Sequence, residues 1–236
     1  MNPLKAMIDL ILPRVCHVCD THLLGDEEFI CSHCISELPL TKYDKYWDNK
    51  SGVNTDLNPM EQRFAGQLPL DRASAAYFYT RDSSLASLIH DFKYRGFPRL
   101  AKTLGSLGAG TQLSTELFEN VDVLLPVPLH WRKRMKRGYN QSELIAMGVS
   151  QVTGIPVGNQ LKALKAHKTQ TSLSSEQRIA NTRGIFKIEN PEEFEGKTVM
   201  LIDDICTTGA TLLSAGEAIA ASVKDVRLKI FTLGVV

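Results

Sequence analysis

The sequence has no excess of charge of one sign and no long apolar run. Its 236 residues carry 27 Lys and Arg against 26 Asp and Glu, a net charge of +1, so overall charge does not draw it towards nucleic acid or an acidic membrane. It lacks the run of about 18 apolar residues that a transmembrane helix needs, and its apolar start lacks a signal-peptide cleavage site. Because 43% of its residues are hydrophobic, wholesale disorder is excluded. We expect a cytoplasmic protein that does not span a membrane.

Four of the five cysteines form a pattern typical of a metal site. Cys16-x-x-Cys19 and Cys31-x-x-Cys34 are separated by eleven residues, and two such knuckles can supply four sulfurs at tetrahedral geometry around Zn²⁺. Four protein ligands leave no open coordination position, so the predicted zinc is structural and stabilises a module too small to hold its own core. The alternatives are two disulfides, which the absence of a secretion signal disfavours, and a redox-active CxxC, which needs only one pair.

Two histidines and the local charge bear on what this module contacts. His17 and His33 lie inside the CxxC gaps and could replace a cysteine as ligands, although we expect both at the surface. Residues 1–64 hold ten acidic and six basic side chains, a local charge of −4, which is unfavourable for gripping DNA phosphates. A protein partner or the main domain is the better expectation.

From residue 70 onward, strand-like and helix-like stretches alternate. Apolar runs at 121–127 and 198–202 predict buried strands, residues 184–188 a short strand, and apolar residues at helical spacing a helix over 83–94. Strands that alternate with helices imply βαβ crossovers, and therefore an α/β fold with a parallel twisted sheet. Because the stretch before them is polar with little periodicity, we divide the chain into a zinc-binding module (1–40), an irregular connector (41–69) and an α/β domain (70–236).

An acidic pair and a small-residue loop follow the second buried strand. Asp203 and Asp204 come first, and the loop consists of Thr207, Thr208, Gly209, Ala210 and Thr211. Ligands of open α/β sheets bind outside the carboxyl ends of the strands, where small residues and a helix N-terminus suit a phosphate. Carboxylates beside them accept hydrogen bonds from hydroxyls, so the pattern suits a sugar phosphate. The alternative is an ordinary helix cap, and Cys206 is interpreted as a tolerated small residue rather than a redox site.

A basic stretch follows the first buried strand, at the same expected edge of the sheet. Five of six consecutive residues are cationic: Arg132, Lys133, Arg134, Lys136 and Arg137. As a loop they would suit a pyrophosphate, for which arginine offers a bidentate fork. With Trp131 and Tyr139 they would instead grip single-stranded nucleic acid, and the third alternative is a solvated surface. The hydroxyl-rich segment 168–184 is interpreted as a mobile cover over a ligand or an ordinary linker.

The stretch 199–211 resembles the phosphoribosyl-pyrophosphate (PRPP) motif of type I phosphoribosyltransferases. With the motifs around it, the chain resembles the competence protein ComF family, which includes the GntX-like proteins. The matching residues are Cys16, Cys19, Cys31 and Cys34, then 92–96 (FKYRG), 126–130 (PVPLH), 137–141 (RGYNQ), 170–173 (QTSL), Arg178 with Asn181, and 203–211. The resemblance implies a type I phosphoribosyltransferase fold with an N-terminal zinc module, and a cytoplasmic role in DNA uptake during natural transformation. Many relatives look as though they carry further CxxC pairs, which this chain lacks, so a partner interface built on a second metal knuckle is not expected.

The resemblance also implies site roles. Asp203 and Asp204 would hold the ribose 2′ and 3′ hydroxyls of PRPP, bound with Mg²⁺, and residues 207–211 would wrap its 5-phosphate. Arg132, Arg134 and Arg137 are candidates to stabilise the departing pyrophosphate, and Lys93 is a further catalytic candidate. Neither a general base nor the acceptor is identified. The alternative function is a non-catalytic adaptor, or a sensor of PRPP or a nucleotide, that binds single-stranded DNA or a helicase-type partner in DNA import.

Overall fold

A parallel sheet forms the centre of the part of the chain that the structure describes. In this computed structural model its strand order is β1-β6-β5-β2, with β1 at Leu70–Phe78, β2 at Val123–Pro126, β5 at Thr198–Cys206 and β6 at Arg227–Val235. A separate antiparallel pair joins β3 (Leu161–Ala163) to β4 (Phe186–Ile188). The predicted α/β fold with a parallel sheet is confirmed.

The structure describes residues 13–43, 57–129, 131–164 and 184–236. Several interpretations from the sequence fall outside these ranges: the start of the chain, residues 44–56 of the connector, His130, and the segment 165–183 with Gln170, Arg178 and Asn181. Within the described ranges, no helix combines the length and the apolar character needed to cross a membrane.

Seven α-helices in the described ranges surround the sheet. They are α1 (Ser32–Ser36), α2 (Pro59–Gln62), α3 (Ser84–Tyr94), α4 (Pro98–Gly110), α5 (Trp131–Arg137), α6 (Gln141–Thr153) and α7 (Ala210–Ala220), with 3₁₀ turns at Glu116–Phe118 and Pro191–Phe194. Local chemistry sets their ends. The Ser83 hydroxyl accepts from the amide of Ala86 and starts α3, whereas Gly154 ends α6 in the left-handed conformation, at φ 74°.

Three elements differ from their sequence predictions. The basic stretch is a helix, α5, because Arg, Lys and Met favour helix and Gly138, at φ 87°, stops it only after residue 137. Strand β5 continues past residue 202 to Cys206, because its ladder with β6 continues there and pairs Asp203 with Thr232. The strand predicted at 184–188 is shorter, and it pairs in the small antiparallel sheet, not the central one.

Both faces of the central sheet are buried under other elements. Because neighbouring residues of a strand point to opposite sides, each strand contributes side chains to both apolar cores. In β5, Met200 and Ile202 pack into one apolar core and Val199 and Leu201 into the other. The first core also includes three of the cysteines, Cys16, Cys31 and Cys34, so the N-terminal module shares a core with the sheet. The last part of the segment 41–69 enters the second core through Met60 and Phe64.

Candidate functional site

The acidic pair lies near the carboxyl end of β5, where the chain turns towards α7. Gly209 precedes α7 in the left-handed conformation, at φ 79°, which glycine adopts at little cost. Thr207 and Thr208 are exposed, and the Thr208 hydroxyl accepts from the amide of Ala210 at 3.4 Å. The loop therefore presents hydroxyls and backbone amides next to the start of a helix, a favourable setting for an anion.

Asp203 is held by hydrogen bonds to one of its carboxylate oxygens. Its Oδ1 accepts from the Ser142 hydroxyl at 2.8 Å and from the amide of Asp204 at 2.9 Å. Burial, followed by the nearby charge of Asp204, raises the pKa of Asp203 to about 7. This carboxyl can therefore gain or lose a proton near neutral pH.

Asp204 is more deeply buried and forms an ion pair. It is 6% exposed, and its Oδ1 accepts from the amide of Ile205 at 2.7 Å. Its Oδ2 is buried, makes no hydrogen bond within the described residues, and lies 2.5 Å from the ammonium of Lys93. The Lys93 charge therefore offsets the burial of this oxygen.

Lys93 comes from the last turn of α3, which the segment 137–141 braces. The Tyr139 hydroxyl donates to the carbonyl of Phe92, and the Arg137 guanidinium lies 5.3 Å from the ring centre of Tyr94. Arg137 also donates to the side chain of Gln141. Two segments far apart in sequence thus meet beside the acidic pair.

The cationic residues predicted on a loop lie on the helix α5, four of them at exposed positions. Arg132 lies 5.2 Å from the ring centre of Trp131, Arg134 is exposed, and Arg137 is half-buried at the end of the helix. Of the predicted catalytic residues, the structure therefore brings Asp203, Asp204 and Lys93 together, and it sets Arg132 and Arg134 on a helical surface.

Sequence reasoning missed three residues at this site. Ser142 follows the 137–141 motif directly, which could have drawn attention to it. Arg63 donates to the carbonyls of Thr207 and Val236, and the Phe64 ring lies so close to Gly209 that a Cβ there would be 3.0 Å from it. No sequence signal marks Arg63 or Phe64, because they lie in a segment of little periodicity.

Cys206 sits at the base of the loop and is 1% exposed. Burial raises the pKa of its thiol to about 11. Redox-active cysteines are usually accessible and have lowered pKa values, so this environment favours an inert side chain.

The four N-terminal cysteines converge as their spacing predicts. Their sulfur atoms all lie within 4.8 Å of one another, and the Cys19 and Cys31 sulfurs are 3.7 Å apart. A ZnS₄ tetrahedron with bonds of about 2.3 Å has edges of about 3.8 Å, whereas a disulfide bond is about 2.05 Å long. Hydrogen bonds with Thr21 lower the pKa of Cys19 to about 6, whereas burial raises the pKa of Cys34, so it is the sulfur geometry that indicates a metal. The cluster therefore fits a zinc ion.

The two histidines in the CxxC gaps have different surroundings. His33 is exposed, as expected. For His17 the expectation of a surface position was wrong, because its ring packs edge-on against Phe97, at 4.4 Å between centres, and its Nδ1 lies 2.7 Å from Asp91 Oδ2. His17 thus contacts the main domain.

A family model described as a phosphoribosyl transferase domain matches residues 140–232. This range begins at Asn140, the cap of α6, and includes Ser142, the acidic pair and the loop before α7. The match thus covers the carboxyl edge of the sheet at which the site lies.

Three curated relatives are similar to this chain in sequence. Over 133 residues the chain is 32% identical to "Competence protein F" of Haemophilus influenzae, a match covering 54% of this chain and 58% of that protein's length. It is 27% identical to "Competence protein ComFC" of Bacillus subtilis, over 93% of this chain and 94% of that one. It is 26% identical to "DNA utilization protein YhgH" of Shigella flexneri, over 88% and 91%. The resemblance inferred from the motifs is confirmed: the chain is similar to competence proteins of the ComF type over nearly its whole length, and it matches a phosphoribosyl transferase domain.

Proposed function

We propose that the chain binds PRPP with Mg²⁺ at the carboxyl end of β5, as a phosphoribosyltransferase-type protein that serves DNA uptake in natural transformation. One observation carries this proposal: Asp203 and Asp204 adjoin a threonine-glycine loop at a helix N-terminus, within the matched phosphoribosyl transferase domain. The names of the relatives, which refer to competence and DNA utilization, support the biological setting.

The acidic pair suits the ribose of this ligand. Carboxylate oxygens accept hydrogen bonds from vicinal hydroxyls, and the adjoining loop from Thr207 to Thr211 offers donors to the 5-phosphate. Ser142 orients Asp203 through a 2.8 Å hydrogen bond, and Lys93 orients Asp204. These partners restrict both carboxylates before the ligand arrives, so less ordering entropy is lost on binding.

The donor set also fits the cation that accompanies PRPP. Mg²⁺ takes hard oxygen ligands, and carboxylates and ribose hydroxyls are such ligands. When bound, the ion neutralises negative charge on the pyrophosphate.

In the proposed reaction a nitrogen nucleophile bonds to C1 of the ribose while the bond to the pyrophosphate oxygen breaks. The bonding electrons leave with pyrophosphate, through an oxocarbenium-like state, and the nucleophile loses its proton. Arg132, Arg134 and Arg137 are the proposed partners of the departing charge, because cations close to charge that develops in the transition state stabilise it. Asp203 and Asp204 would hold the ribose in position for this displacement.

Calorimetric titration with PRPP and Mg²⁺ tests the proposal. Wild type should bind, and Asp204→Asn should bind at least tenfold more weakly, since a hydrogen bond to a charged group contributes about 1.5–3 kcal/mol. The matched control is Asp82→Asn, which removes an exposed carboxylate outside the acidic pair. Pyrophosphate release is then measured with a panel of nitrogenous bases. Wild type without affinity for PRPP would overturn the proposal.

The exposed surface of α5 favours a second candidate, a non-catalytic adaptor or sensor that binds single-stranded DNA or an import partner. The seven-residue helix has five cations and no acidic residue, and Trp131 is 56% exposed. Cations contact phosphates and an exposed indole offers a stacking surface for a base. PRPP binding without pyrophosphate release under any base would favour the sensor.

A charge-matched comparison tests the DNA candidate. One variant replaces the four exposed cations of α5 by glutamine, and the control replaces four exposed cations away from α5: Lys187, Lys197, Lys224 and Arg227. The α5 variant should bind single-stranded DNA more weakly and with a shallower salt dependence than the control. Equal, salt-insensitive binding by both variants would exclude the α5 surface.

A further inference from the structure

The last turn of α3 joins the four-cysteine module to the acidic pair. Its consecutive residues contact four different partners: Asp91 contacts His17, Phe92 accepts from Tyr139, Lys93 pairs with Asp204, and Tyr94 lies against Arg137. We call residues 91–95 the junction turn. Because the turn is a single helical unit, a shift of one of these contacts displaces the others.

The contact on the module side is short and shielded from water. His17 Nδ1 lies 2.7 Å from Asp91 Oδ2, the His17 side chain is 16% exposed and Asp91 is 3% exposed. Since a carboxylate only accepts, the imidazole Nδ1–H is the donor. The other carboxylate oxygen of Asp91 accepts from Arg95 at 3.1 Å. Losing His17 would leave a buried acceptor without its donor, which is costly.

His17 has this position because of the knuckle in which it lies. The sulfur of Cys16, one residue before it, accepts from the amides of Val18 and Cys31, and the His17 amide donates to the carbonyl of Phe29. An ion that binds all four cysteines would tighten this knuckle, since a metal site folds the loops that form it. The His17 imidazole would then be held in a fixed position relative to the Asp91 carboxylate.

At the other end of the junction turn, the ion pair between Lys93 and Asp204 depends on a short distance. The Lys93 ammonium lies 2.5 Å from a buried oxygen of Asp204. A displacement of about 1 Å in a positioning contact can cost about a hundredfold in activity. The junction turn is therefore placed to convert a change in the module into a change at the acidic pair.

We propose that His17 and Asp91 are positioning residues through which metal loading of the four-cysteine module controls PRPP affinity at Asp203 and Asp204. This inference rests on the proposed function, because the affected ligand is PRPP. It gives the cysteine module a role at the ligand site besides stabilising the fold.

Three histidine variants test the contact, each purified with its zinc and checked for zinc content. His17→Leu removes the donor, His17→Asn returns an N–H close to the position of Nδ1, and His33→Leu is the matched control in the other CxxC gap. We expect His17→Leu to weaken binding of PRPP with Mg²⁺ about tenfold, His17→Asn to recover most of it, and His33→Leu to change it less than about twofold. If asparagine restores PRPP affinity, the hydrogen bond to Asp91 is the cause, because asparagine supplies an N–H donor but does not restore the packing of the imidazole ring. Equal affinities for wild type and His17→Leu would overturn the proposal.

Zinc removal gives the second test. Zinc is chelated and the chelator is dialysed away before Mg²⁺ and PRPP are added; this should weaken PRPP binding in wild type and should add little in His17→Leu, because the two changes break one pathway and are not additive. Additive losses would contradict the pathway.

Hydrogen exchange at the junction turn separates failure of this inference from failure of the proposed function, because it needs no PRPP. Amides 93–95 should exchange about tenfold faster in His17→Leu and after chelation, whereas those of β6 should not change. If wild type binds no PRPP, the proposed function fails and exchange alone decides on the junction. Unchanged exchange at the turn would overturn the coupling.

Discussion

Replacing Asp203 by asparagine should stabilise the fold above neutral pH and leave its stability in acid unchanged. Burial and the charge of Asp204 raise the pKa of Asp203 from 3.8 to about 7. Below pH 3.8 the carboxyl is protonated in both the folded and the unfolded chain, so its charge has no cost. As pH rises from 3.8 to about 7, the unfolded chain ionises while the folded chain keeps the proton on Asp203, so the stability falls across this range and stays lower above it.

The size of the effect follows from the shift in pKa. A change from 3.8 to about 7 corresponds to about 4 kcal/mol of folding free energy once both states are ionised. Because the side chain is partly exposed, screening by water reduces this, and we expect about 2–4 kcal/mol. Asparagine should keep both hydrogen bonds to Oδ1, from the Ser142 hydroxyl and the amide of Asp204.

Urea unfolding at pH 4, 5, 6, 7, 8 and 9 measures this difference. The midpoint of the variant should coincide with that of wild type at pH 4 and exceed it by about 1 to 2 M at pH 8 and above. Asp82→Asn, which removes an exposed carboxylate, should not show this divergence. Parallel curves for wild type and Asp203→Asn would refute the reasoning that burial of this charge opposes folding.

Three further predictions concern packing, the loop and the metal. Gly148→Ala should lower the stability by about 1–3 kcal/mol, seen in thermal unfolding, because the added Cβ would lie 2.1 Å from the Lys102 carbonyl oxygen where α4 and α6 cross. Arg63→Ala should weaken PRPP binding about tenfold in calorimetry, since the loop before α7 loses its charge-assisted hydrogen bond. Elemental analysis should find one zinc per chain in wild type and in Cys206→Ser, and markedly less in Cys31→Ser, because only the latter loses one of four ligands.

Each of these three predictions has a control variant at a comparable position. Gly110→Ala lies on α4 with open space around the new Cβ, so a loss equal to that of Gly148→Ala would contradict the close-crossing argument. Gln62→Ala changes the residue beside Arg63, and the Gln62 side chain donates to the nearby carbonyl of Leu57, so equal weakening by both variants would show that Arg63 acts through the stability of its segment. Unchanged zinc in Cys31→Ser would exclude the four-cysteine site.

The zinc-type cluster and the acidic strand end could be predicted because their signals are local. Two CxxC knuckles carry their geometry in their spacing, and the alternation of apolar runs with helical periodicity specifies a parallel sheet without reference to distant contacts. Asp203, Asp204 and the following loop were predicted for the same reason. They lie within thirteen consecutive residues, next to a strand whose burial is evident from its composition.

Two local predictions were wrong. Strand pairing extended β5 beyond its predicted end, and helix propensity made the basic stretch a helix where a loop was predicted. The strand β5 runs through the acidic pair because β6 hydrogen-bonds to it as far as Cys206, so the ladder outweighs the low strand propensity of aspartate. The basic stretch forms a helix because nothing before Gly138 interrupts it.

By itself, the sequence determined the class of fold, the spacing of a four-cysteine metal site and the acidic end of β5. Only the tertiary structure decided which side chains complete the site. Arg63 reaches the loop across 144 positions, and His17 reaches Asp91 across 74. Such pairs leave no periodic or short-range signal, because the chain between them is free to take many paths until both cores have packed. The physical link between the cysteine module and the acidic pair exists only in the folded molecule.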